Sequence, residues 1–209
     1  YLALATVEKK EYYELSSAQQ RLYILQQMDA GGRGTSYHVP YTYALEGELD
    51  IIQLDTVFRK LIRRHESLRT SFIIINEEPV QRIHNEVEFK IEYKDSSTDY
   101  TDYTDKNDNT IHYSSFIIHH FIQIFDLSRA PLMRVGVIKE AETRHILAVD
   151  IHHIVTDGTS MELLIKEFKL FYMGQELPPL PLQYKDFARW QSCGEQVEAI
   201  QHQEAYWLE

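Results

Sequence analysis

Cysteine is nearly absent. The 209-residue chain holds only Cys193, so no intrachain disulfide can form and a reducing, cytoplasmic setting is expected. Glycine and proline are scarce, eight and six residues, which sets aside collagen-like and low-complexity chains. Positive charge is in deficit: 21 basic against 32 acidic residues give a net charge of −11, which disfavours nucleic acid and anionic membrane as partners. No apolar run approaches the ~20 residues of a transmembrane helix. The first residues lack the basic start and apolar stretch of a signal peptide. What is present is a globular composition, 44% hydrophobic and 25% charged, long enough for one sizeable core or two small ones.

Residues 1–14 read as a linker or arm leading into the domain. Ser16 or Ser17, with Gln19 or Gln20 three positions on, has the form of a capping box. Ala18, Leu22 and Leu25 then give a helix face to about residue 28. Tyr41 to Leu49 alternates weakly, as a strand does. Asp50 with Gln53 starts the clearest amphipathic helix, with Leu54, Val57, Phe58, Leu61 and Ile62 on one face and a basic end at Arg63 and Arg64. Strands are expected at Leu68–Ile75, Val80–Ile83 and Val87–Tyr93, with a turn at Asn76–Pro79. Lys94–Thr110 reads as a solvated, Asp-rich loop, and Ile111–Ile124 as a helix that carries His112, His119 and His120. Leu132–Lys139 and His145–His153 suit an antiparallel pair. Thr159 and Glu162 read as a capping box for a helix with the face Met161, Leu164, Ile165, Phe168 and Tyr172, ended by Gly174. Helices are expected at Tyr184–Gln191 and from Glu195 onward. The last has no terminating signal, so the chain is expected to continue.

Chemistry concentrates at Asp150–Ser160, D-I-H-H-I-V-T-D-G-T-S. Alternation on a strand puts His153 on the face of Leu147, Val149 and Ile151, and His152 on that of Ala148 and Asp150. Gly158 stands just before a helix, where its N–H and the helix dipole can face a developing oxyanion. A histidine beside such a donor suits acyl transfer. The plainer readings are a structural His pair and an Asp157 that only caps a helix. A metal site is disfavoured, because adjacent strand residues point apart and no further ligand follows at useful spacing. There is no G-x-S-x-G, phosphate loop or reactive-cysteine context.

The run H-H-I-V-T-D-G resembles the HHxxxDG motif of the condensation domains of non-ribosomal peptide synthetases. Three further stretches agree in order. Ser17-Ala18-Gln19-Gln20-Arg21-Leu22-Tyr23 resembles the first core motif, and Arg64-His65-Glu66-Ser67-Leu68-Arg69-Thr70-Ser71-Phe72 the second. Tyr184-Lys185-Asp186-Phe187-Ala188 resembles the fourth. Four ordered motifs across residues 16–190 make the resemblance specific.

The resemblance implies an α+β, two-layer fold: a chloramphenicol acetyltransferase-like lobe, with helices packed on a mixed sheet over residues 15–209. It implies the N-terminal half of a domain that makes amide bonds between carrier-bound substrates, inactive without its C-terminal lobe. No cofactor is expected to bind directly, since substrates arrive on phosphopantetheine arms of donor and acceptor carrier domains. An adenylation domain in the same polypeptide is a further implied partner, and the lobe is expected to be monomeric. By the same resemblance His153 carries the catalytic role, His152 an orienting one, and Gly158 donates to the thioester carbonyl. Asp157 is expected to pair with Arg64. Gln19, Arg21, Arg69, Tyr184 and Asp186 are the other motif residues. The alternatives are a non-catalytic carrier-docking module, an epimerisation domain of the same superfamily and a coenzyme A acyltransferase. The intact motif disfavours the first, and the second and fourth motifs disfavour the last.

Overall fold

The computed structural model describes residues 4–29, 34–95 and 121–194. In chain order its elements are β1 (Tyr13–Glu14), α1 (Ser17–Met28), β2 (His38–Glu46) and α2 (Ile51–Arg64). A short 3₁₀ turn, Glu66–Arg69, leads into β3 (Thr70–Ile75) and β4 (Glu78–Ile83). Then come β5 (Glu92–Asp95), β6 (Met133–Ala141), β7 (Arg144–His152), α3 (Gly158–Tyr172) and α4 (Tyr184–Gln191).

The strongest periodic pattern forms the core. Leu54, Val57, Phe58, Leu61 and Ile62 of α2 are all buried, each worth about 1.5–3 kcal/mol over exposure. Asp50 starts this helix by accepting the N–H groups of Ile52 and Gln53. The helix packs beside α3 and, with it, against Leu147, Val149 and Ile151 on one face of a four-stranded sheet. That sheet has the order β2-β7-β6-β5, antiparallel except for the parallel β5–β6 pair. It is the mixed sheet of an α+β fold, with helices packed on it. A smaller antiparallel sheet, β1-β4-β3, stands beside it. Its β3–β4 hairpin turns through Asn76 and Glu77, both at positive φ, the type I′ geometry that two-residue hairpins favour.

On its other face the four-stranded sheet carries a small cluster of Phe121, Ile138 and Ala148. Gly136 lets the Phe121 ring approach; a Cβ there would lie 2.8 Å from it.

Several local expectations change. The buried stripe of α1 is Gln19, Tyr23 and Gln26, while Ala18 is exposed. Gln19 closes the capping box with Ser16, and Gln26 donates to the carbonyl of Gly34, so both amides are inward and satisfied. Val87–Ile91 forms no strand: Phe89 and Ile91 are buried as alternation demands, but the Phe89 carbonyl goes to Arg59 rather than to a ladder. Leu68 and Arg69 belong to the 3₁₀ turn, not to β3. Helix α3 is capped by Asp157, two residues before the Thr159 of the expected Thr159–Glu162 box, and Gly174 at φ +76° lies just beyond its end. Residues 4–14 lie against the domain, through the β1–β4 pairing and a Val7 N–H donated to Asp186. The expected 94–110 loop, the helix over 111–124 and the helix from 195 fall wholly or mostly outside the described residues.

Candidate functional site

Strand β7 ends at His152 and the chain turns before α3. The histidine pair straddles that boundary, and its two members have opposite environments. His152 keeps the strand alternation and is fully buried on the face of Asp150 and Ala148. Its Nδ1 accepts the N–H of Ile154 at 3.0 Å, so the ring proton sits on Nε2, which faces Gln26 Oε1 at 3.4 Å. Burial, and then the nearby His38 and His153, push its pKa down to about 4. His152 is therefore neutral at pH 7 with both nitrogens directed into the lobe.

His153 does not continue the face of Leu147, Val149 and Ile151, because the turn takes it out of the strand. It is exposed, and its backbone N–H donates to the Tyr37 carbonyl at 2.8 Å. A group that must reach substrate needs this exposure; a group that must hold a turn needs the burial of His152.

Asp157 caps α3. Its Oδ1 accepts the Ser160 N–H at 2.7 Å and the Ser160 hydroxyl at 2.6 Å. These bonds, the hydroxyl first, hold its carboxyl below the usual range, and His153 adds to the effect. The expected pair with Arg64 does not form. The Arg64 guanidinium donates to Glu167 Oε2 at 3.0 Å and to the Pro178 carbonyl. His65 Nε2 meets the same Glu167 oxygen at 2.6 Å. Glu167 projects from α3 near the end of α2, whereas Asp157 sits at the opposite end of α3 with Oδ1 bonded to Ser160.

Gly158 is the first residue of α3. Among the described residues no protein acceptor takes its N–H, and a Cβ on it would meet nothing within 4 Å. The space in front of this helix N-terminus is open to an anion or a polarised carbonyl. Behind the loop, sheet and helices enclose an apolar cavity of about 260 Å³ that includes Ile151, Met161 and Phe168. Lys169 is its one charged lining residue.

Of the remaining motif residues, Gln19, Arg69, Tyr184 and Asp186 make contacts within the scaffold. Gln19 closes the α1 cap, and Arg21 is exposed on the same helix. Arg69 bonds the His84 carbonyl and lies 3.5 Å from Glu66. Tyr184 Oη is 2.9 Å from Ser16 Oγ, and buried Asp186 accepts the N–H groups of Val7 and Gln183. Gln183 in turn bonds the Arg64 carbonyl and the Glu66 N–H. The second and fourth motifs thus meet through Gln183, Lys185 and Glu66, and Tyr184 of the fourth reaches Ser16 beside the first. Sequence reading missed Gln26, His38, Asp150 and Glu167. Asp150 alone carried a signal, as a carboxylate two residues before His152 in a strand pattern.

Residues 9–209 match the Condensation domain family. Over 208 residues, 100% of its length, the chain is 47% identical to tyrocidine synthase 3 of Brevibacillus parabrevis, of which it covers 3%. It is 45% identical, again over 100% of its length, to gramicidin S synthase 2 of Brevibacillus brevis, of which it covers 4%. It thus spans only a small part of these relatives. The X-domain from teicoplanin biosynthesis aligns with 91% of this chain and 40% of its own, at a TM-score of 0.75 and 26% identity. The EpoB cyclization-docking bidomain from Sorangium cellulosum aligns with 99% of this chain and 41% of its own at a TM-score of 0.78. At 24% identity that likeness is one of fold.

Proposed function

The chain belongs to the condensation-domain family, and from that premise we propose that it is the N-terminal half of a domain that joins a carrier-bound amine to a carrier-bound acyl thioester. The amine nitrogen forms a bond to the thioester carbon, the carbon–sulfur bond breaks, and the donor arm leaves as a thiol. Both substrates come on phosphopantetheine arms, donor and acceptor carriers being the partners. An adenylation domain of the same polypeptide is a further partner. The remaining lobe supplies the opposite wall, so this lobe alone is inactive.

The observation that carries this reading is the division within the histidine pair. His152 has both nitrogens engaged inside the lobe, whereas His153 is exposed on a turn that ends at the open N–H of Gly158. A free α-amine has a pKa of roughly 7.7–8.0, so about a seventh is neutral at pH 7 and reaching that form costs only about 1 kcal/mol. His153 accordingly acts less by deprotonating the ground state than by positioning the amine and taking its proton as the tetrahedral intermediate forms, a contribution of ~10²–10⁴-fold. The Gly158 N–H and the positive end of α3 steady the oxyanion. In the full-length protein, with both carriers loaded, His153→Ala lowers amide formation by about that factor. Undiminished turnover would overturn the assignment.

A further inference from the structure

The histidine turn is gripped from outside the motif. Strand β2 begins at His38, which lies opposite His152 in the β2–β7 register, with Pro40 opposite Asp150. The His38 and Asp150 side chains are 2% and 0% exposed, and Nδ1 of one meets Oδ2 of the other at 2.8 Å. A carboxylate only accepts, so His38 Nδ1 carries the proton. From the other side, Arg134 of β6 lies opposite Asp150 and 3.4 Å from the same oxygen. The Phe125 ring stacks on His38 at 4.8 Å, meets His152 edge-on at 6.0 Å and lies under the Arg134 guanidinium at 3.9 Å. Asp150 therefore ties the three adjoining strands at the point where β7 ends.

The next bond along β2 is the functional one. Tyr37, the residue before His38, presents the carbonyl that accepts the His153 N–H at 2.8 Å. His153 has left the strand, and among the described residues its backbone has one other bond, a longer 3.4 Å contact from the Thr156 N–H. Where its imidazole stands thus depends on where the start of β2 stands, and the start of β2 is held by the end of the β2–β7 ladder together with His38 on Asp150.

We propose that His38 and Asp150 form a buried positioning pair for the amide-forming site: by pinning the start of β2 they make the Tyr37 carbonyl hold the backbone of His153. This rests on the reading of His153 as the proton-handling group. Neither residue touches substrate. A displacement of the order of 1 Å at a reacting group costs about 10²-fold in rate, so a pair this far from the chemistry still matters to it.

The other ring nitrogen of His38, Nε2, is buried and has no protein partner. The role of His38 therefore lies in Nδ1, and that makes the test specific. An asparagine amide presents its N–H near the place of Nδ1; a glutamine amide reaches toward the place of Nε2. In the full-length protein with loaded carriers, His38→Leu and His38→Gln are expected to slow amide formation by about 10–10²-fold at unchanged KM for the acceptor carrier. His38→Asn is expected to stay within about threefold of wild type. Hydrogen exchange by mass spectrometry on the same proteins should show the backbone around His153 losing protection in the Leu and Gln variants and keeping it in Asn. A Leu variant as fast as wild type overturns the proposal. So does an Asn variant as slow as Leu with its exchange protection intact. Should His38→Leu fail to fold, the Asn–Gln contrast decides. A wild type that makes no amide from loaded carriers removes the functional reading instead, and the exchange contrast still decides the role of His38.

Discussion

The Arg64 guanidinium donates through Nε to Oε2 of Glu167 at 3.0 Å, and His65 Nε2 meets that oxygen at 2.6 Å. Arg64 is the last residue of α2 and His65 its C-cap, while Glu167 lies in the second half of α3, so this cluster clamps the helices that cover the sheet. All three side chains are largely buried, and a buried ion pair is costly to break from one side because the partner charge stays behind. Thermal or urea unfolding of Arg64→Ala, Glu167→Ala and the double variant should give a coupling of about 1–3 kcal/mol. The same cycle between Arg64 and Asp157 should couple by less than about 0.5 kcal/mol. Strong coupling in the second cycle would restore an Arg64–Asp157 pair. Asp157→Ala by itself should cost about 1 kcal/mol and Asp157→Asn much less, because asparagine also caps helices.

Buried His152 should make the lobe sensitive to mild acid. Its pKa is about 4 when folded against a model value of 6.5. Between these values the unfolded chain binds the extra proton, so the stability linked to neutral His152 is fully present above about pH 6.5 and drains away as pH falls toward 4. The difference is on the order of 3 kcal/mol. Urea titrations across roughly pH 4.5–7.5 should show a smaller pH slope for His152→Asn than for wild type. Equal slopes would mean that burial does not hold this imidazole neutral.

The β3–β4 turn carries a correctable strain. Asn76 and Glu77 have φ of 51° and 69°. Asparagine tolerates the left-handed region; glutamate does so at a cost of about 1 kcal/mol. Glu77→Gly creates the Asn-Gly pair that type I′ turns prefer and should raise stability by roughly 0.5–1 kcal/mol, read as a higher urea midpoint at unchanged m-value. A lower midpoint would show that the Glu77 side chain contributes something the turn geometry does not reveal.

Gly158 separates folding from function. Its φ is not in the left-handed region, and a Cβ would meet nothing within 4 Å. Gly158→Ala should therefore leave stability within about 0.5 kcal/mol of wild type. Amide formation in the full-length protein should nevertheless fall, because the methyl group adds bulk beside the N–H that the substrate carbonyl approaches. Loss of stability with normal turnover would reverse the assignment.

The elements fixed within a few residues were legible in the chain itself. Ser16 with Gln19, Asp50 with the N–H groups beyond it, the apolar face of α2, Gly174 at the end of α3 and the limits of α4 all depend on neighbours one to four positions away. Caps and periodicity report such neighbours directly. The histidine turn was legible for the same reason, as a strand signal running into a helix signal. Its internal division was not. Alternation carried His153 onward as a strand residue, whereas the bond to Tyr37 and the end of the β-ladder at His152 turn it outward. The inward stripe of α1 was misread because Gln19 and Gln26 look like surface residues until their partners are known. Nothing local directs Arg64 to Glu167 rather than to Asp157, and nothing local marks His38. Its bond to Asp150 spans 112 residues and that of Arg64 to Glu167 spans 103. The sequence by itself determined where α1, α2 and α4 start and that a strand runs into a helix within Asp150–Ser160. Only the tertiary structure decided which charge meets which, because the energy of a buried pair depends on distance and desolvation, and neither is encoded in local spacing.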